Sequence, residues 1–328
     1  MNLKRVLGGT GGGLMVFGLA AFSAACTPAV VQATVANGTL TVTGTPESEA
    51  IALRLKAGSP NTLQVDVGDD GTAEFEFDRT TFTQVQVLGG DGNDKLTVDQ
   101  ANGAFADEAL TLDGGNGDDT ILGGDGNETL LGDGGNDFVD GNKGADKADL
   151  GAGYDTFRWD PGDGSDAIQG GLGVDKLVFN GADVDEAMFL DAAGTHAVLT
   201  RNVGNVRMDT DAVEALDVNM LGGFDNFSVG DFMANTAMRE ANVDMSAASG
   251  GPDAQTDSVN LVGTGNVDHI DATATGGRID VTGLAVTTHI TGSKIPDQLQ
   301  IAAEGPGDTI NVDPAVDALI TTLINVHV

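Results

Sequence analysis

Cysteine occurs once in the 328 residues, at position 26, which excludes an intrachain disulfide framework and any cysteine-based zinc site. Histidine occurs four times, at 196, 269, 289 and 327, well apart and without metal-ligand spacing. Basic residues are scarce. Fifteen Lys and Arg stand against 50 Asp and Glu, a formal net charge of −35. The fifteen are scattered, so no basic patch offsets the repulsion from phosphate backbones or anionic membranes, and nucleic-acid binding is excluded. No apolar run beyond the N-terminus approaches the length of a bilayer span. Catalytic signatures are missing too: there is no Gly-x-Ser-x-Gly elbow, no His-Glu-x-x-His and no histidine beside a nucleophile. Carboxylate pairs are so abundant here that none is informative, and the expectation is a protein that is not an enzyme. What is plentiful is glycine, at 49 residues, roughly twice the usual share. The charge that remains favours a multivalent cation or simple solubility.

The N-terminus reads as an address. Lys4 and Arg5 precede the apolar run Leu14 to Phe22, and Ser23-Ala24-Ala25 supplies small residues for cleavage. This order is that of a secretory signal peptide over residues 1–25. Cys26 follows at once, as in a bacterial lipoprotein lipobox, with Ser23 standing where that pattern prefers an aliphatic residue. Lipidation of Cys26 would be the only route to a membrane. The expectation is a secreted or cell-surface protein.

The middle of the chain repeats every nine residues. Units begin at Gly89, Gly114, Gly123, Gly132, Gly141, Leu150, Pro161 and Gly170. Their fourth position reads Gly92, Gly117, Gly126, Gly135, Gly144, Gly153, Gly164 and Gly173. The sixth is acidic throughout: Asp94, Asp119, Glu128, Asp137, Asp146, Asp155, Asp166 and Asp175. The eighth is apolar throughout: Leu96, Ile121, Leu130, Val139, Ala148, Phe157, Ile168 and Leu177. Glycine permits tight curvature with positive φ. A carboxylate among exposed carbonyls is a calcium-type ligand set, and the apolar residue belongs on a very short strand facing a thin core. One unit makes a half-turn, so two make a coil of about eighteen residues whose carboxylates stack at roughly the 4.8 Å strand spacing. Charges that close repel, and cations between turns would relieve them. A phosphate-cradling loop is excluded, since no Gly-Lys-Ser/Thr ending exists. An EF-hand is excluded by the missing Asp-x-Asp-x-Asp-Gly loop.

These units resemble the haemolysin-type (RTX) calcium-binding nonapeptide repeats, and Trp159 to Asp166 with Gly170 to Asp175 match the pattern closely. The resemblance implies a parallel β-roll with calcium between turns two units apart. Asp119, Asp137, Asp155 and Asp175 would line one edge, and Glu128, Asp146 and Asp166 the other. That arrangement implies about five inter-turn calcium sites of two carboxylates each. The turn residues Gly115, Asn116, Gly117, Asp125, Gly126, Gly135, Gly153, Gly164 and Gly173 would add oxygen ligands. Asp94 is set apart from the other acids by a non-repeat stretch. Asn142, Lys143, Lys147, Ala148 and the longer Glu128 are departures that weaken the second edge.

Flanking the repeats, period-two alternation predicts strands. Residues 26–88 read as an antiparallel β segment with turns at Asn37-Gly38 and Asp70-Gly71. Residues 89–180 are the roll. In residues 181–328 an acidic-x-apolar echo recurs at Asp225, Asp257, Asp268, Asp297 and Asp308. It predicts either degenerate solenoid rungs that have lost calcium or a separate sheet. Tyr154 and Trp159 are expected to cap the core. The whole reads as an all-β, exported, calcium-binding structural or interaction module, its protein or glycan partner not identifiable from sequence. The alternative is a secreted hydrolase or polysaccharide-modifying enzyme with the repeats as accessory.

Overall fold

A computed structural model describes residues 30–326; the signal-peptide and Cys26 expectations lie outside them. Successive side chains of a strand point to opposite faces, so three residues of extended chain centred on the apolar eighth position present one side chain inward. Thr120–Leu122 and Phe138–Asp140 are such strands, and their central Ile121 and Val139 are fully buried. The glycine-rich hexads then turn the chain onto the opposite face. Strands therefore alternate between two 14-stranded sheets. Ala109–Asn116, Thr129–Gly134, Lys147–Gly153 and Ala167–Gly173 stack in parallel in the first sheet. Thr120–Leu122, Phe138–Asp140, Thr156–Trp159 and Lys176–Asn180 do so in the second. Leu130 lies beside Leu112 and Ala148, and Val139 beside Ile121 and Phe157. The eighteen-residue coil and the all-β parallel roll are thus present.

The flanks extend the same two sheets. Thr39–Thr43 pairs in parallel with Gln84–Asp91, and Ala50–Lys56 with Lys95–Asp99. The antiparallel pairing predicted for the N-terminal segment exists only outside that rung, where Gln32–Ala36, Ser59–Val67 and Phe75–Asp78 complete hairpins at the sheet ends. Beyond residue 180 the rungs continue. Lys176–Asn180, Ala215–Asn219, Glu240–Asp244 and Thr287–Thr291 follow one another in the second sheet. Ala187–Ala193, Asn226–Val229, Ser258–Val262, Gln298–Ala303 and Thr321–Val326 do so in the first. Two antiparallel excursions interrupt the winding, at His196–Arg201 with Val206–Asp211 and at His269–Thr275 with Arg278–Thr282.

Aliphatic columns fill the interior, and the largest side chains mark one place along it. Trp159 and Phe179, fully buried, stack with centroids 4.2 Å apart. The Trp159 indole N–H donates to the Gly164 carbonyl at 2.8 Å, and the Arg201 guanidinium lies over its ring. Tyr154 does not cap the core: it is 69% exposed, because the fifth position of a unit lies on the outer side of the turn. Among the described residues no helix is long and apolar enough to cross a membrane.

Candidate metal-binding edges

Within residues 89–180 every turn from the first sheet to the second ends in the sixth-position acid, and these acids form a continuous ladder. The Asp94 amide donates to Asp119 Oδ1 at 2.7 Å, Asp119 to Asp137 at 2.8 Å, Asp137 to Asp155 at 2.7 Å and Asp155 to Asp175 at 3.0 Å. One carboxylate oxygen of each acid is thereby fixed on the neighbouring turn. The other is not used. Oδ2 of Asp94, Asp119, Asp137, Asp155 and Asp175 is buried without any hydrogen-bond partner. Four of them face the first glycine of their own turn: a Cβ at Gly89, Gly132 or Gly170 would stand 2.5, 2.6 or 2.8 Å from the oxygen, and one at Gly114 would strike that of Asp119, while the turn of Asp155 begins with Leu150 instead. Five buried anionic oxygens in file, beside glycine carbonyls, are a ligand set for a hard cation and for little else. Asp94 joins the ladder directly, its non-repeat stretch looping away from the edge.

The fourth-position glycines are required by the same stacking. A Cβ on Gly117 would strike the Gly92 carbonyl, one on Gly135 the Gly117 carbonyl, and one on Gly153 the Gly135 carbonyl. Gly173 meets Gly153 and Gly164 meets Gly144 in the same way. At the second position Asp133 and Asn142 replace glycine yet keep positive φ, 65° and 57°, which these two residue types tolerate better than most.

The opposite edge is built less completely. The Glu128 amide donates to Asp146 Oδ1 at 2.7 Å and the Asp146 amide to Asp166 Oδ1 at 2.9 Å. The extra methylene of Glu128 lets its carboxylate fold back onto its own turn, where the Gly124 and Gly126 amides donate to it. Of the three acids on this edge only Asp146 keeps an unpartnered buried oxygen. Asp125 lies on the outer side of its turn, paired with Lys143 at 3.2 Å, and Asn116 donates to Asp91. Gly115 packs on the Gly90 carbonyl and a Cβ at Gly126 would meet Glu128 Oε1 at 2.5 Å. Among the described residues no three acidic or histidine side chains converge on one point. The acids are delivered one per turn, so a bound ion would take two carboxylates and complete its shell with carbonyls or water.

Two members of the first-edge ladder went unread in the sequence. The Glu49 amide donates to Asp94 Oδ1 at 2.7 Å, and the Asp175 amide donates to Glu214 Oε2 at 2.9 Å. Both begin an acid-x-apolar triplet, Glu49 to Ile51 and Glu214 to Leu216, and that signal without the glycine hexad would have found them.

Burial first, and neighbouring carboxylates after it, raise these acids. Asp119 and Asp175 are pushed up to about 6, Asp137 and Asp166 to about 7, and Asp146 to about 8. Asp94, Asp155 and Glu128 move in the same direction for the same leading reason. A carboxyl raised in the folded state favours folding only while protonated. That contribution is complete below the unfolded value of about 4 and is lost as pH climbs through the folded values. The metal-free protein should therefore lose stability between about pH 4 and pH 8, and calcium binding in that window should release protons. Calorimetric titration near the middle of the window, in two buffers of different ionisation enthalpy, checks this; identical heats would refute it.

Compared with known protein families, the chain matches the RTX calcium-binding nonapeptide repeat in four copies, at residues 111–127 and 122–157. Residues 111–157 are RTX repeats. They make this part of the chain a calcium-binding β-roll module. The RTX match covers the turns that carry Asp119, Glu128, Asp137, Asp146 and Asp155. A search of curated proteins finds no match for the chain.

Proposed function

We propose that this protein is an exported, calcium-stabilised β-solenoid that works at the cell surface or outside the cell as a structural or interaction module. The ions sit between turns of the RTX roll, held chiefly along the edge of Asp94, Asp119, Asp137, Asp155 and Asp175. The observation that carries this reading is the file of five buried oxygens without a partner on that edge. An unpaired buried charge is costly, and a divalent cation between successive carboxylates offsets it. Support for export is the charge-apolar-small order of residues 4–25, which precedes Cys26 as a candidate lipidation point. Outside the cytoplasm calcium is plentiful, so the roll would be loose during synthesis and rigid after export.

Asp137→Asn tests the assignment. It retains the oxygen that accepts from the Asp119 amide while removing the charge between two gaps. In calorimetric titration it should bind at least one calcium fewer than wild type, and in chelator it should melt higher, since a buried charge is gone. Glu128→Gln should leave the stoichiometry unchanged, because the Glu128 carboxylate is already satisfied by its own turn. Equal stoichiometry in Asp137→Asn and wild type would sink the edge assignment.

A further inference from the structure

The acid ladder does not stop where the repeats end. On the second edge the Glu186 amide donates to Asp225 Oδ1 at 2.8 Å, Asp225 to Asp257 at 3.0 Å and Asp257 to Asp297 at 3.2 Å. The turn before Asp225 keeps part of the nonapeptide geometry. Gly223 holds φ +128°, as Gly117 does, and a Cβ there would strike the Val184 backbone of the preceding rung.

At both ends of this stretch a cation from the chain itself meets the ladder. Arg201 pairs with Glu186, both buried. Lys294 Nζ enters the gap between the Asp257 and Asp297 turns and contacts Asp253 Oδ1 at 2.9 Å, the Gln255 carbonyl at 2.7 Å and Asp297 Oδ1 at 3.1 Å. Two carboxylates and a backbone carbonyl around one positive charge are the donors a calcium ion would take in the same place. The gap between the Asp225 and Asp257 turns has no such tenant. Asp225 is 2% exposed and its Oδ2 is buried without a partner, and so is Asp253 Oδ2. Among the described residues no Lys, Arg or His pairs with Asp225. The Asp183 and Asp253 carboxylates both close on the Gly222 turn, where a Cβ would lie 2.6 and 3.9 Å from them. Burial, then the charges of Asp257, Glu186 and Asp253, push Asp225 up to about 7.

We propose that a hard divalent cation, calcium in the same environment, binds between the turns of residues 220–225 and 252–257 through the Asp225 and Asp253 carboxylates. The site lies outside the RTX repeats and stands on its own residues. The C-terminal solenoid thus places one exchangeable ion between two tethered cations, rather than having lost metal altogether.

Hydrogen exchange of the full chain, in calcium and in chelator, tests this. In wild type, calcium should slow exchange at Asn226–Val229 and Ser258–Val262. In Asp225→Asn that response should weaken at least tenfold in calcium concentration while residues 111–157 respond as before, and the variant should melt higher than wild type in chelator. Asp253→Asn, which leaves the Glu186-to-Asp225 bond untouched, should lose the same response. A wild-type C-terminal segment indifferent to calcium while residues 111–157 respond would overturn the proposal, as would an unaltered response in both variants. Failure of residues 111–157 to respond would instead count against the reading of the repeats, leaving this site judged by its own segment.

Discussion

In chelator near neutral pH, the protein should melt tens of degrees below its melting temperature in millimolar calcium. The five unpartnered oxygens of Asp94, Asp119, Asp137, Asp155 and Asp175 leave four gaps on one edge. Each ion bound at a hundredfold excess over its dissociation constant adds about 2.7 kcal/mol. Four would add about 11 kcal/mol, and at about 2–4 °C per kcal/mol for a domain of this size the shift is about 20–40 °C. The effect adds to the carboxylate repulsion that chelation exposes, so acidifying the chelated sample toward about pH 5 should recover part of it. Magnesium, which prefers a compact octahedral shell and sheds water reluctantly, should reproduce little of the shift. Scanning calorimetry with calcium, magnesium and chelator settles the matter; coincident transitions would remove calcium from the account of stability.

Gly135→Ala is expected to damage the roll more than any loss of a single carboxylate. Gly135 has φ +146°, a region essentially closed to residues with a Cβ, at about 1–3 kcal/mol. The new methyl would also strike the Gly117 carbonyl and come within 3.0 Å of the Asp118 amide. That carbonyl is backbone of the preceding rung and cannot swing aside, so the rungs must separate and both neighbouring ladder bonds stretch. We expect a total cost of about 4 kcal/mol or more, with calcium affinity reduced. Gly162→Ala is the matched control. Gly162 also has positive φ, +116°, but nothing lies within 4 Å of its Cβ position, so it should show the conformational cost alone. Denaturant melts of the two variants measure the difference, and equal destabilisation would show that the stacked carbonyls impose no steric demand.

The repeats announced their own geometry because three constraints fall on fixed positions. The fourth residue must clear a carbonyl, the sixth must reach the next turn and the eighth must face inward. Periodicity therefore predicted the coil length and both edges of acids. It could not show that Glu128 folds back on its own turn, since that depends on one methylene and two amides. Nor could it place residues 30–88 and 181–326 within the same two sheets. There the apolar eighth position survives, in Phe227, Val259 and Leu299, but the hexads between rungs have grown into loops and hairpins of unequal length, which erases the nine-residue beat. Glu49, Glu186 and Glu214 were hidden for this reason. Lys294 was invisible for another: a lone lysine near the surface of a −35 chain gives no hint that it fills a gap between carboxylates.

The pairing of residues eighteen apart, as in Leu112 with Leu130 and Ile121 with Val139, restricts how such a chain can change its length. Adding or removing two units keeps each sheet, each edge and each ladder in phase. A single unit would exchange the sheets and set the complete edge against the incomplete one. Growth and shrinkage are therefore quantised in whole coils of one pitch, and each coil gained brings its own pair of inter-turn gaps. The length of the roll and its capacity for ions are inherited as one quantity.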